Sequence, residues 1–325
     1  MTALVEPFDV SLWPEAPMSP AWRLRTDHFE VTAVALGAHL IDVRVPVDGD
    51  WMRISVDYPA IPNPTGFHGA TAGRWANRIA GSAFELDGVR HELVANEGPN
   101  QLHGGPDGFD RRPWSRVELV DDGEAAGVVL SLVSPDGDQG FPGELEATAR
   151  FVASGDRLSI TYEASTDRPT VVNLTNHLYW NLAGGGSLDG HRLTVCAERR
   201  VPVDEANLPL AGPPLPVAGT RFDCRAGVDL GAVVAAGGFD HCFVFAADPR
   251  EPGVRLEHDS GRAIEIHTDQ VGCQIYTGRH LDADRRGVAI EAQRIPDAPN
   301  RPDFGTAVLR PGERYRNHTV VRFGG

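Results

Sequence analysis

The sequence predicts an all-β protein, a large antiparallel sandwich, and three observations carry that prediction. Apolar and β-branched residues recur in short runs of strand length. The connectors between them are turn-rich, and the 325 residues include 36 Gly and 25 Pro. No stretch of a dozen residues keeps the 3.6-residue period of an amphipathic helix.

Taken in order, residues 1–27 are Pro-rich and lack periodicity, so they are expected to lie irregularly over the surface. Strands are expected at 29–36 and 38–45, broken at Gly37, and at 51–56. Residues 58–68 contain Pro59, Pro62, Pro64 and Gly66 and read as a loop. The segment 73–79 fits neither helix nor strand. In 84–93, FELDGVRHEL, the Asp87-Gly88 pair sits between alternating segments and predicts a type I′ hairpin turn. Residues 96–110 are broken by Gly and Pro and carry His103; a loop this long inside a compact domain is usually functional or poorly ordered. Strands at 114–120, 127–133, 144–152 and 157–164 follow, joined by Asp/Gly-rich turns as an antiparallel meander. The run TVVNLTNHLYWNL (170–182) opens as a strand and ends before Gly184-Gly185-Gly186. Residues 201–216 are irregular, and 229–236 form one short helical turn. Strands at 239–245, 254–257, 263–268, 273–277, 288–293 and 315–323 complete the chain. No composition shift or internal repeat marks a linker, so a single domain spanning 1–325 is expected.

The formal charge of −15 and the absence of a basic patch argue against nucleic acid and anionic membranes as partners. Every one of the 30 basic residues is Arg, which rules out Schiff-base chemistry through a lysine. Cys196, Cys224, Cys242 and Cys273 form no C-x-x-C pair and read as free thiols of a reducing compartment. The N-terminus lacks a basic start and a long apolar stretch. A cytoplasmic location is the expectation.

The candidate site is built around His177. Asn173, Thr175 and Asn176 place hydrogen-bonding groups beside it, and Tyr179 and Trp180 supply flat faces of the kind that pack on sugar rings. An imidazole in apolar surroundings can be held in one tautomer and moved off its ordinary pKa. Asn77, Arg78, His103, Asp240 and Glu291 also sit at turns or strand ends. Each has a plain structural explanation as well: an Arg paired on the surface, a loop His in solvent, an Asp capping a turn. Glu291 is the most telling, because it alternates with Ile290 and Ala292 and so faces away from them. A carboxylate in such a strand is partly desolvated and becomes a better base near neutral pH. No His spacing suggests a metal site, Gly184–Gly186 lack the following helix of a phosphate loop, and no G-x-S-x-G elbow is present. A two-carboxylate glycosidase stays open on these grounds.

The segments GATAGRWANRIAGSAFELDG, NQLHGGPDGFD, DGDQGFPGEL, VVNLTNHLYWNLAG, FDHCFVF and IEAQRIPDAPNRPDF, the last ahead of LRPGERY, together resemble the aldose 1-epimerase family. The resemblance runs from about Ala38 to Phe323. It implies a β-supersandwich and interconversion of the α and β anomers of a free aldohexose such as galactose or glucose, with no cofactor and no metal. It makes Glu291 the base at the anomeric hydroxyl and His177 the acid at the ring oxygen. It gives Asn77, Arg78, His103, Asp240 and Gln274 the role of holding sugar hydroxyls. Trp75, Leu178, Trp180, Phe239 and Ala292 depart from the family pattern; Trp180 and Ala292 adjoin His177 and Glu291, so an altered pocket shape is expected. The partner implied is a small-molecule sugar, and the chain is expected as a monomer or weak homodimer. Two alternatives are a catalytically weak sugar sensor and an epimerase of a phosphorylated or modified sugar, for which Arg111 and Arg112 could bind the phosphate.

Overall fold

Alternation of side chains along the strands sets the architecture. Strand Leu145–Ser154 buries Leu145, Ala147, Ala149, Phe151 and Ala153 and turns the intervening residues outward. Its neighbour Arg157–Thr166 does the same with Leu158, Ile160, Tyr162 and Ala164. The computed structural model, which describes residues 3–11, 18–56, 67–245, 253–283 and 286–324, places both in the middle of a nine-stranded antiparallel sheet. That sheet opens with the expected meander, Ser115–Asp121, Ala125–Ser134, Leu145–Ser154 and Arg157–Thr166. It continues through Tyr315–Gly324, Ala263–Thr268, Val254–His258, His191–Val195 and Val228–Asp229.

A six-stranded sheet lies against it, in the order Tyr179–Trp180, Val288–Gln293, Gly272–Tyr276, Asp240–Phe245, Ala197–Arg200 and Leu215–Pro216. Ile275, Val288 and Ile290 from this sheet share one apolar core with Ile160, Ile266 and Val321 from the other. Every residue of Val288–Gln293 is buried. Val288 and Ile290 join that core, and the alternating residues, Glu291 among them, face the other side.

A third sheet corrects the expectation for residues 1–27. Leu4–Ser11 and Met18–Arg25 are strands, paired with each other and then with Glu30–Val34, His39–Val47 and Asp50–Arg53. Proline does not prevent this: Pro20 has no N–H to give, but its carbonyl accepts the Ala35 N–H at 2.8 Å. Trp22 and Leu24 are buried in the shared core. Of the loop expected at 58–68, residues 58–66 lie outside the described residues.

The predicted hairpin is present as Ala83–Leu86 and Val89–Glu92, with φ of 52° at Asp87 and 77° at Gly88, as a type I′ turn requires. The helix expected within 229–236 is Leu230–Ala235, capped by the Asp229 side chain, which accepts the Ala232 N–H at 2.6 Å. Among the described residues no helix is long and apolar enough to cross a membrane.

Arg74 ties the segment before the site to the nine-stranded sheet. It is 2% exposed. Its guanidinium donates to the carbonyls of Ser134, Pro142 and Gly143, each at 3.0 Å, and to the Ser134 hydroxyl at 2.6 Å. Burial pulls its pKa down to about 10, so it stays charged at neutral pH. Arg74→Met is expected to lower stability by about 3–5 kcal/mol, because it removes the partner of several buried carbonyls at once. Urea unfolding checks this; a loss below about 1 kcal/mol contradicts it.

Candidate active site

Strand register brings His177 to Glu291. Tyr179 pairs with Ala289 and Trp180 with Val288 in an antiparallel ladder. Two residues back along one strand and two on along the other is the pair His177 and Glu291, on the face shared by Tyr179 and Ala289. His177 Nε2 lies 3.5 Å from Glu291 Oε1, and both side chains are buried. On the other flank Gln274 is the cross-strand partner of Glu291. Its Nε2 donates to Asp240 Oδ1 at 2.5 Å.

The rest of the site comes from the segment 67–103. Gln101–Leu102 pairs with Arg78–Ile79, which fixes the long loop and presents His103. The Asn77 backbone N–H donates to His103 Nδ1 at 3.2 Å, and the Asn77 side chain folds back to accept the Arg78 N–H. Arg78 forms a two-pronged pair with Glu97, Nε to Oε2 at 2.7 Å and Nη2 to Oε1 at 2.8 Å. The His103 ring centre is 5.3 Å from that of His177, and Phe67 lies 4.5 Å from His103.

Burial dominates the electrostatics. It pushes the Glu291 carboxyl well above its ordinary value, with the Asp240 charge adding to the effect and Arg78 opposing it. It pulls His177 down to about 4. It pulls His103 well below its ordinary value, helped by His177 and Arg78. Burial also raises Asp240, against Arg78 and the Gln274 hydrogen bond. For Arg78, burial works against the charge, but Glu97, Asp240 and Glu291 outweigh it and the pKa is raised. Glu291 Oε2, His177 Nδ1 and Gln274 Oε1 are buried without a hydrogen-bond partner among the described residues. Buried polar atoms normally have partners, and three such groups together mark a surface shaped for a polar ligand.

His103, His177 and Glu291 each bring one potential metal-ligand atom to within 4.8 Å of the others. The tautomer of His103 does not fit a metal. Its Nδ1 accepts the Asn77 N–H, so the neutral ring keeps its proton on Nε2, the nitrogen that must be bare to bind an ion. The cluster is arranged for hydrogen bonding and proton transfer.

The structure therefore gathers Asn77, Arg78, His103, His177, Asp240, Gln274 and Glu291 in one place, through direct bonds or mutual charge effects. It corrects the reading of Trp180 as a sugar platform. Trp180 alternates with Tyr179 and points into the shared core, with its ring 6.3 Å from that of Phe323. The residues that depart from the family pattern are buried in the packing around the site. Leu178, Trp180 and Phe239 belong to the main core, Trp75 to a second apolar cluster, and Ala292 packs between the sheets. Arg111 and Arg112 are taken by neighbouring acids, Arg111 at 3.5 Å from Asp110 and Arg112 bonded to Asp138. Sequence reasoning missed Glu97 and Phe67. Glu97 is one of three acids, with Asp107 and Asp110, in the loop that carries His103, so its place there was the only available signal.

The family model described as aldose 1-epimerase matches residues 20–322. A galactose mutarotase of Rattus norvegicus is 41% identical over 275 residues, 79% of each chain. An aldose 1-epimerase of Escherichia coli K12 is 37% identical over 321 residues, covering 90% of this chain and 91% of that one. The crystal structure of a galactose 1-epimerase from Lactobacillus acidophilus NCFM superimposes with a TM-score of 0.84 at 26% identity, covering 99% of both chains. A β-rich fold of this kind, the gathered site and these matches lead to one assignment: the chain belongs to the aldose 1-epimerase family.

Proposed function

We propose that the protein interconverts the α and β anomers of a free aldohexose, galactose or glucose first, by passing one proton between O1 and O5 through Glu291 and His177. The pair holds one proton; in the tautomer that carries it on His177, the Glu291 carboxylate takes the proton of the anomeric hydroxyl while His177 gives its proton to the ring oxygen. The C1–O5 bond breaks and an open-chain aldehyde forms. After rotation about C1–C2, His177 takes the proton back as O5 attacks the other face of C1, and Glu291 returns its proton to O1. The enzyme ends as it began, which is what acid–base catalysis of an isomerisation requires.

The observation that carries this reading is the 3.5 Å approach of two buried, oppositely functioning groups. Burial penalises the charge on both, Glu291 upward and His177 downward. Ring opening converts the charged pair into a neutral one, so the low-dielectric setting favours the step that opens the sugar. Arg78, clamped by Glu97, and Asp240, held by Gln274, supply fixed donors and acceptors for ring hydroxyls. Because Arg78, Arg111 and Arg112 are all paired with acids, an uncharged sugar suits the site better than a phosphorylated one.

Polarimetry on freshly dissolved α-D-galactose and α-D-glucose tests this. The protein is expected to speed the approach to the equilibrium rotation far above buffer. Sugar binding without acceleration contradicts the enzyme reading and favours a sensor; a faster rate on glucose 6-phosphate contradicts the preference for uncharged sugars.

A further inference from the structure

His177 and Glu291 belong to segments far apart in the chain, and a single side chain from the opposite sheet holds both. Asn317 lies in strand Tyr315–Gly324 of the nine-stranded sheet and is 2% exposed. Its Nδ2 donates to the carbonyl of Leu174 at 2.8 Å, three residues before His177. It also donates to the carbonyl of Ala292 at 2.9 Å, the residue after Glu291. Both acceptors are backbone carbonyls, so the NH2 end of the amide must face them. The Oδ1 end accepts from the Thr319 hydroxyl at 3.2 Å, which fixes the side chain from behind.

Each carbonyl has a second donor as well: the Tyr315 hydroxyl on Leu174 at 3.2 Å and the Thr175 hydroxyl on Ala292 at 2.9 Å. Losing the Asn317 amide therefore orphans neither carbonyl. It removes the bridge that runs through the opposite sheet and leaves the direct one, from the Thr175 hydroxyl to Ala292. A bridge that the local hydrogen bonding can spare acts on relative position.

We propose that Asn317 is a positioning residue for the acid–base pair, setting the separation of His177 and Glu291 by tying their two backbones to one amide. This rests on the reading of that pair as the catalytic machinery. A misplacement on the order of 1 Å at such a pair can cost about 10²-fold in rate.

The test is Asn317→Leu, with Asn317→Ser as the companion in case the first does not fold, each made in the wild-type and the Glu291→Gln backgrounds. Anomerisation of α-D-galactose is followed by polarimetry, with circular dichroism as the check of folding. In the wild-type background kcat is expected to fall about 10-fold or more, with KM within about two-fold. In the Glu291→Gln background the same substitution is expected to cost less than about two-fold, because the pair it positions is already disabled. A folded variant with kcat within about three-fold of wild type, or the same fold-loss in both backgrounds, overturns the proposal. Wild-type turnover by Glu291→Gln alone instead overturns the catalytic reading beneath it, and the positioning role with it.

Discussion

Glu291→Gln is expected to lower kcat for anomerisation by about 10²–10⁴-fold, the range for loss of one acid–base partner. The substitution is close to isosteric. Glu291 is 2% exposed in a strand buried along its whole length, with Gln274 directly across the ladder. An amide there keeps the size and much of the hydrogen bonding of the carboxyl, but it cannot take the O1 proton. Stability is expected to hold or improve, because a buried ionisable group is removed. Binding is expected to change little, so the loss appears in kcat more than in KM. Polarimetric turnover at the wild-type rate refutes the role given to Glu291.

His177→Asn is expected to cost a similar factor, about 10²–10⁴. The two losses do not multiply. One proton passes through both groups, so the double variant is expected to be little slower than the slower single one. A double variant slower by the product of the two factors shows that they act independently. The same coupling shapes the pH profile of the wild-type enzyme. Burial holds His177 at about 4, below the ordinary 6.5, and holds Glu291 well above its ordinary value. Between those limits the pair keeps one exchangeable proton. Below about 4 a second proton binds, the one-proton tautomer with an ionised Glu291 and a protonated His177 is lost, and activity falls. Above the raised Glu291 value the pair loses its proton and activity falls again. kcat/KM is therefore expected to stay high through pH 5 and to reach half its maximum near 4; a midpoint near 6.5 contradicts a buried His177.

Much of this was legible from alternation. The run 145–166 switches between buried and outward residues with hardly a fault, and Glu291 could be placed opposite Ile290 by parity alone. Parity also bears on Trp180. It follows Tyr179 by one, so a strand that turns His177 and Tyr179 to the site must send Trp180 to the core. An aromatic beside a catalytic residue in sequence drew attention that its strand position did not justify. The departures at Trp75, Leu178, Phe239 and Ala292 are likewise buried.

Other features carry no local signal. Leu4–Ser11 and Met18–Arg25 pair as strands with each other, and Met18–Arg25 with Glu30–Val34, while the prolines of this region read locally as coil. Glu97 sits in a loop without period, and its role depends on Arg78 meeting it across that loop. Asn317 shares the inward parity of Tyr315, but an amide in an alternating strand looks like an outward residue until both acceptors are in place. Above all, the meeting of His177 and Glu291 is a property of strand register between distant segments, which propensity and spacing do not encode.

The most direct measurement is a crystal structure of the Glu291→Gln protein with galactose bound. The account predicts an ordered pyranose with O1 about 2.6–3.2 Å from the residue 291 side chain and O5 at a similar distance from His177. A sugar seated elsewhere, or one presenting neither oxygen to these side chains, contradicts it.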